Sequence, residues 1–136
     1  VQPRFAQASE NGAYGAAVAC IDWALAVLLH ELEALGLADD TIVIFTSDNG
    51  ARGVEGGSNA PLNGTKGTTW EGGMRVPLIV RWPSTVAPGR ATTEVATSMD
   101  LYPTLAALCG GEVPTDRTID GRDITPLLTG NEGAVS

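Results

Sequence analysis

Basic side chains are scarce: 8 Lys and Arg against 16 Asp and Glu leave the 136 residues at a formal charge of −8. That balance argues against a nucleic-acid or anionic-membrane surface, because both partners are polyanions. It still allows a small anionic substrate, which one local cation can oppose. Cysteine occurs only at Cys20 and Cys109, too few for a disulfide framework or a zinc cluster. The single histidine, His30, lies off the apolar stripe of its segment and reads as a solvated helix position. No apolar run approaches the ~20 residues that span a bilayer. The opening Val1-Gln2-Pro3-Arg4 shows neither a secretory leader nor an initiator Met, so the chain reads as processed or excised. A P-loop, a Gly-x-Gly-x-x-Gly fingerprint and a Gly-x-Ser-x-Gly elbow are all absent.

What is present is ordinary for a folded domain: 43% hydrophobic and 18% charged residues, with the length of one domain. Seventeen glycines and eight prolines imply many turns and long ordered loops. The chain is organised around Thr41-Ile42-Val43-Ile44-Phe45-Thr46-Ser47-Asp48-Asn49-Gly50. A β-branched apolar run that stops at polar turn residues reads as a strand buried on both faces. Such strands build α/β sheets, whose ligands bind beyond the strands' carboxyl ends. Asp48 and Asn49 stand at that end. They are either a turn or a pair of hard oxygen donors for Ca²⁺ or Mg²⁺.

Before this strand, residues 1–12 suggest little order, and Val18, Ile21, Leu25, Leu28, Leu32 and Leu35 recur at spacings of three and four. The spacing predicts a helix over about 13–35 with one buried face, stopped by Gly36. Asp39 and Asp40 read as solvated turn residues. After the strand comes a loop over 50–74, anchored by Leu62, Trp70 and Met74, with Lys66 between Gly64 and Gly67. Loops this long are functional or disordered, and the anchors favour function. Lys66 could meet an anion together with its backbone; its bland alternative is a solvated lysine. A second strand is expected over 75–83 and a short extended piece over 94–97. A helix should run from a cap at Ser98 or Asp100 to about Cys109, with Pro103 in its first turn and Gly110-Gly111 as its stop. A helical turn at Pro126-Leu127-Leu128 precedes an end, 130–136, expected to fray.

Several motifs together resemble the sulfatase family of the alkaline-phosphatase-like superfamily: Thr41–Gly50, Pro61–Pro77 with Trp70-Glu71-Gly72-Gly73, Met99-Asp100-Leu101-Tyr102-Pro103-Thr104-Leu105 and Asp120-Gly121-Arg122-Asp123. The resemblance runs from about Tyr14 to Gly130, and Ser58-Asn59-Ala60-Pro61-Leu62 is most similar to the branch that includes N-acetylgalactosamine-4-sulfatase. It implies an α/β fold, a partial alkaline-phosphatase-like sheet with flanking helices, as one partial domain over 1–136. It further implies hydrolysis of sulfate esters by a formylglycine nucleophile with Ca²⁺, or Mg²⁺. Asp48 and Asn49 match metal ligands, and Lys66 matches the catalytic, substrate-binding lysine. Glu71, Arg75 and the neighbouring glycines match structural positions that hold the loop against the sheet. Relatives of this kind are often periplasmic, secreted or lysosomal.

The departures are as informative. The formylglycine is made within Cys/Ser-x-Pro/Ala-x-Arg, and no Cys or Ser of this chain fits: Ile21-Asp22-Trp23-Ala24 follow Cys20, and Gly110-Gly111-Glu112-Val113 follow Cys109. The family's first paired Asp ligands and its active-site histidines are absent. The expectation is therefore the later part of a sulfatase catalytic domain, inactive alone and prone to form a homo-oligomer through its apolar helix. The alternatives are a piece of a phosphonate or phosphate monoester hydrolase of the same superfamily, or a non-enzymatic α/β module.

Overall fold

The computed structural model describes residues 1–130. The chain divides into two compact units, Val1–Arg81 and Trp82–Ser136.

The first unit is built on one long helix and a two-stranded ribbon. Helix α1 spans Pro3–Ala8, with its proline in the first turn, where the missing N–H is harmless. Order therefore reaches into the region expected to lack it. The Arg4 guanidinium lies 4.6 Å above the Phe5 ring and 4.3 Å above the Trp23 ring, so cation–π attraction ties α1 to the next helix. Helix α2 spans Gly12–Ala34. Gly36, at φ +69°, stops it in the left-handed conformation expected of such a glycine. The Gly36 N–H reaches the Glu33 carbonyl at 3.0 Å and the Leu37 N–H reaches the Leu32 carbonyl at 2.9 Å, which caps the last carbonyls.

The expected buried face of α2 is not buried. Val18, Ile21, Leu28 and Leu35 are 51, 55, 63 and 68% exposed, Leu25 and Leu32 are half-buried, and Ala16 alone on this helix is fully buried. The reason is one of size. A 23-residue helix is about 35 Å long, whereas a four-residue strand spans about 13 Å. His30 is exposed, as expected. By length and composition alone α2 could also cross a bilayer. That corrects the expectation that no stretch does, since Asp22 breaks the apolar run without making the helix polar.

Strand β1 spans Val43–Thr46 and strand β2 spans Leu78–Arg81. They pair antiparallel, with Val43 opposite Arg81 and Thr46 opposite Leu78. Pro77 and Pro83 bracket β2, which is shorter than the expected 75–83 because neither proline can donate to a ladder. Val43, Ile44 and Phe45 are half-buried. The expectation of burial on both faces fails because a two-stranded ribbon has too few neighbours to cover them. Arg81 ties the ribbon back to the end of α2, bonding the Ala38 carbonyl at 3.3 Å and pairing with Glu33 at 3.7 Å.

The second unit centres on helix α4, Leu101–Leu108, entered through a 3₁₀ turn at Ser98–Asp100. Asp100 holds the N-cap position of α4, one of the two expected, but without a side-chain cap hydrogen bond to that helix. Thr97 caps the turn, in a reciprocal box with Asp100. Asp100 is 5% exposed and spends its carboxylate on the backbone: one oxygen accepts from the Thr97 N–H at 2.7 Å and hydroxyl at 3.1 Å, the other from the Arg122 N–H at 2.8 Å. The fully buried Thr104 hydroxyl donates to the Asp100 carbonyl at 2.6 Å and accepts from the Ile124 N–H at 2.9 Å. Gly110, at φ +70°, ends the helix. Helix α5, Thr125–Thr129, covers the expected turn at 126–128. Residues 94–97 form no strand. The expected fraying of 130–136 lies, beyond Gly130, outside the described residues.

Burial alone would raise the Asp100 pKa, but the hydrogen bonds from Arg122 and Thr97, with the Arg122 charge, hold it below its ordinary 3.8. A lowered folded pKa means that the carboxylate contributes stability above pH 3.8, lost as pH falls through the folded value. Asp100→Asn is expected to cost about 2–3 kcal/mol, because an amide nitrogen would face an N–H donor. It should also flatten the acid limb of the stability curve. Denaturation midpoints measured against pH for both chains check this.

Candidate functional site

The candidate site grows from the carboxyl end of β1. The chain leaves the strand at Ser47, whose hydroxyl donates to the Asn49 carbonyl at 3.0 Å and shapes the turn. The side chains of Asp48 and Asn49 converge, the Asn49 amide donating to an Asp48 carboxylate oxygen. Asp48 is exposed, Asn49 half-buried and Gly50 buried. The Gly50 N–H donates to the Gly73 carbonyl at 3.0 Å, and a Cβ on Gly50 would lie 1.8 Å from the Gly72 carbonyl oxygen. Only glycine permits that approach.

The loop over 50–74 is folded, but not by its expected anchors: Trp70 and Met74 are 60 and 67% exposed and Leu62 is half-buried, so hydrogen bonds hold it instead. It contains a 3₁₀ turn at Gly53–Glu55 and the short helix α3, Glu71–Met74. Its knot is Ala51. The Asn59 Oδ1 accepts from the Ala51 N–H at 2.7 Å, and Asn59 Nδ2 donates to the carbonyls of Ala51 at 2.8 Å and Gly64 at 3.2 Å. The Thr65 hydroxyl and the Lys66 N–H also reach the Ala51 carbonyl, at 2.7 and 3.2 Å. Gly64 and Gly67, at φ +95° and +87°, turn the chain on either side of Lys66. The Gly72 N–H closes the loop on the Asn63 carbonyl at 2.7 Å.

Lys66 is thus tethered through its backbone three residues beyond Asp48. Its side chain is exposed, and it makes no ion pair among the described residues. Glu71 and Arg75 pair with each other at 2.8 Å, both exposed. Exposed i,i+4 pairs contribute little, so the glycine contacts hold the loop, and these two do so less than expected.

As donors, Asp48 and Asn49 suit a hard cation: a carboxylate, and an amide whose oxygen and nitrogen can exchange places. Two donors alone do not make a Ca²⁺ site, since Ca²⁺ takes about six to eight oxygens and the described residues hold no cluster of three or more His, Cys, Asp or Glu that could bind a metal. Cys20 is half-buried on α2 and Cys109 exposed at the end of α4, both free thiols. A depression of about 310 Å³ in the second unit is lined by Val95, Thr97, Met99, Asp100, Asp120 and Arg122, but the Asp100 carboxylate is already committed to backbone donors.

Sequence reasoning noticed Asn59 only inside the run 58–62 and gave Thr65 no role. The usable signal was chemical. An amide in mid-loop offers two donors and an acceptor from one uncharged side chain, enough to bond both polar groups of one residue and a second carbonyl.

Comparison with known proteins agrees with this frame. A sequence model of the sulfatase family matches residues 2–111. The chain is 50% identical over 137 aligned residues to the steryl-sulfatase of Rattus norvegicus, covering 95% of this chain and 24% of that protein. It is 46% identical over 129 residues to human arylsulfatase A, covering 93% of this chain and 25% of that protein. Its structure resembles that of the PsFucS1 sulfatase from Pseudoalteromonas sp., with a TM-score of 0.88 and 32% identity over 98% of this chain and 28% of that one. The chain belongs to the sulfatase family, and its fold is that of the corresponding part of an alkaline-phosphatase-like sulfatase. It spans about a quarter of the length of these relatives. The similarity does not single out the N-acetylgalactosamine-4-sulfatase branch.

Proposed function

We propose that this chain carries part of a sulfate-ester hydrolase site: Asp48 and Asn49 as two ligands of a Ca²⁺ or Mg²⁺ ion, and Lys66 as the cation that holds the sulfate. The observation that carries the reading is the tether from the Lys66 N–H to the Ala51 carbonyl, which keeps the lysine loop at the strand end that bears Asp48 and Asn49. A bound divalent ion would supply Lewis acidity toward a sulfate oxygen. The Lys66 ammonium would neutralise charge growing on the bridging oxygen as the S–O bond breaks. Both act where negative charge develops, which suits a sulfate ester. Relatives named as sulfatases at 46–50% identity support this ester class over the phosphonate and phosphate alternatives.

The 136 residues contain no Cys/Ser-x-Pro/Ala-x-Arg segment from which a formylglycine could be made. The purified chain is therefore expected to bind weakly and turn over nothing. Calorimetric titration with Ca²⁺ should give a saturable heat that Asp48→Ala removes, while an aryl sulfate incubated with the chain stays intact. Heat that survives Asp48→Ala would refute the metal assignment, and turnover would refute the incomplete site.

A further inference from the structure

We infer that Asn59 is a positioning residue for Lys66, acting through the backbone without touching substrate; this rests on the sulfate-ester reading. One amide holds both polar groups of Ala51 and, with its second N–H, the carbonyl of Gly64, two residues before the lysine. Ala51 in turn follows Asp48 and Asn49 by three and two residues. Asn59 therefore bonds both arms of the site: the strand end with the candidate metal ligands, and the turn with the candidate sulfate cation.

Four groups meet at this crossing. The Ala51 carbonyl takes donors from Asn59, the Thr65 hydroxyl and the Lys66 N–H. Thr65 also receives the Gly53 N–H at 3.3 Å. The need for the clasp follows from Gly64 and Gly67. Both sit at positive φ, and glycines on each side of a residue leave its backbone free unless something fixes it. An exposed lysine adds the mobility of its four-carbon stem, so the backbone is the part that the protein can hold. Only an amide fits the role. An aspartate would aim a charge at two carbonyl oxygens, and leucine has the volume without the bonds.

The test uses the 136-residue chain, amide NMR and inorganic sulfate as the probe. In Asn59→Leu, exchange of the Lys66 amide should speed up about tenfold as its anchor loosens, and sulfate affinity read at the Lys66 amide should fall about tenfold. The ribbon amides that hydrogen-bond β1 to β2 should keep their protection. Asn59→Gln, which retains donor and acceptor on a longer stem, should recover part of the affinity. If Asn59→Leu also strips protection from the ribbon, Thr65→Val provides the measurement, removing one donor to Ala51 with an expected fall of about threefold. Faster Lys66 exchange with unchanged sulfate affinity would overturn the inference, as would no change in either. A wild-type chain whose Lys66 amide ignores sulfate would overturn the sulfate-ester reading itself, and the inference with it.

Discussion

Gly50→Ala is expected to cost about 3 kcal/mol or more and to detach the lysine loop from the end of β1. The new methyl would stand 1.8 Å from the Gly72 carbonyl oxygen, 2.8 Å from its carbon and 3.1 Å from the Gly73 Cα. None of these is a flexible side-chain tip. They are backbone atoms of a segment fixed by the Gly73-to-Trp70 and Gly72-to-Asn63 hydrogen bonds, 2.8 and 2.7 Å long. Gly72 and Gly73 cannot retreat either: a Cβ on each would meet loop carbonyls at 2.5 and 2.3 Å, so the backbones are packed face to face. The Gly50 N–H would lose the Gly73 carbonyl and be stranded, which adds to the steric cost. Gly53→Ala is the control. It lies in the same loop, and a Cβ there meets nothing within 4 Å, so its effect should stay within about 0.5 kcal/mol. Urea midpoints of the two variants distinguish close packing from a general sensitivity of the loop. Equal midpoints would show that the glycine contact does not hold the site together.

This contrast shows what the sequence made legible. The punctuation was readable because it follows from local chemistry: Gly36 and Gly110 do end their helices, Pro77 and Pro83 bracket a strand, and Asp-Asn-Gly does end β1. Of the candidate site, the sequence offers the residue types Asp48, Asn49 and Lys66, and the fold brings the backbone of the Lys66 turn to the end of β1. The clasp at Ala51 was not readable, because a side-chain amide that recognises backbone leaves no periodic trace. The cap was readable by position and not by role, since Asp100 stands at the N-cap of α4 but gives its carboxylate to Thr97 and Arg122. Burial was misjudged most. A stripe at helical spacing states which side chains need cover, and it does not state that the cover lies within the same 136 residues.

That uncovered stripe sets the second large expectation: at micromolar concentration the chain should associate through α2, and Ile21→Lys with Leu28→Lys should return it to a monomer. Val18, Ile21, Leu25, Leu28, Leu32 and Leu35 alternate spacings of three and four, the seam of a coiled coil. Four of the six are more than half exposed. Each side chain of this kind gains about 1.5–3 kcal/mol on burial, and a second copy of α2 presents the same seam. Self-pairing of one patch closes as a two-fold dimer. Asp22, Glu31 and Glu33 flank the seam by the helical wheel and His30 lies opposite it, so no charge sits between the paired faces. The opposite side is also apolar, with Trp23 and Val27 41 and 38% exposed, and a helix apolar on both sides belongs inside a larger body. Light scattering across a dilution series decides the point. A concentration-dependent mass that falls to one chain in the double-lysine variant supports the seam. A wild-type monomer at high concentration defeats it. Association that survives both lysines moves the contact to the Trp23 side, where Trp23→Ser would then be the variant to dissociate it.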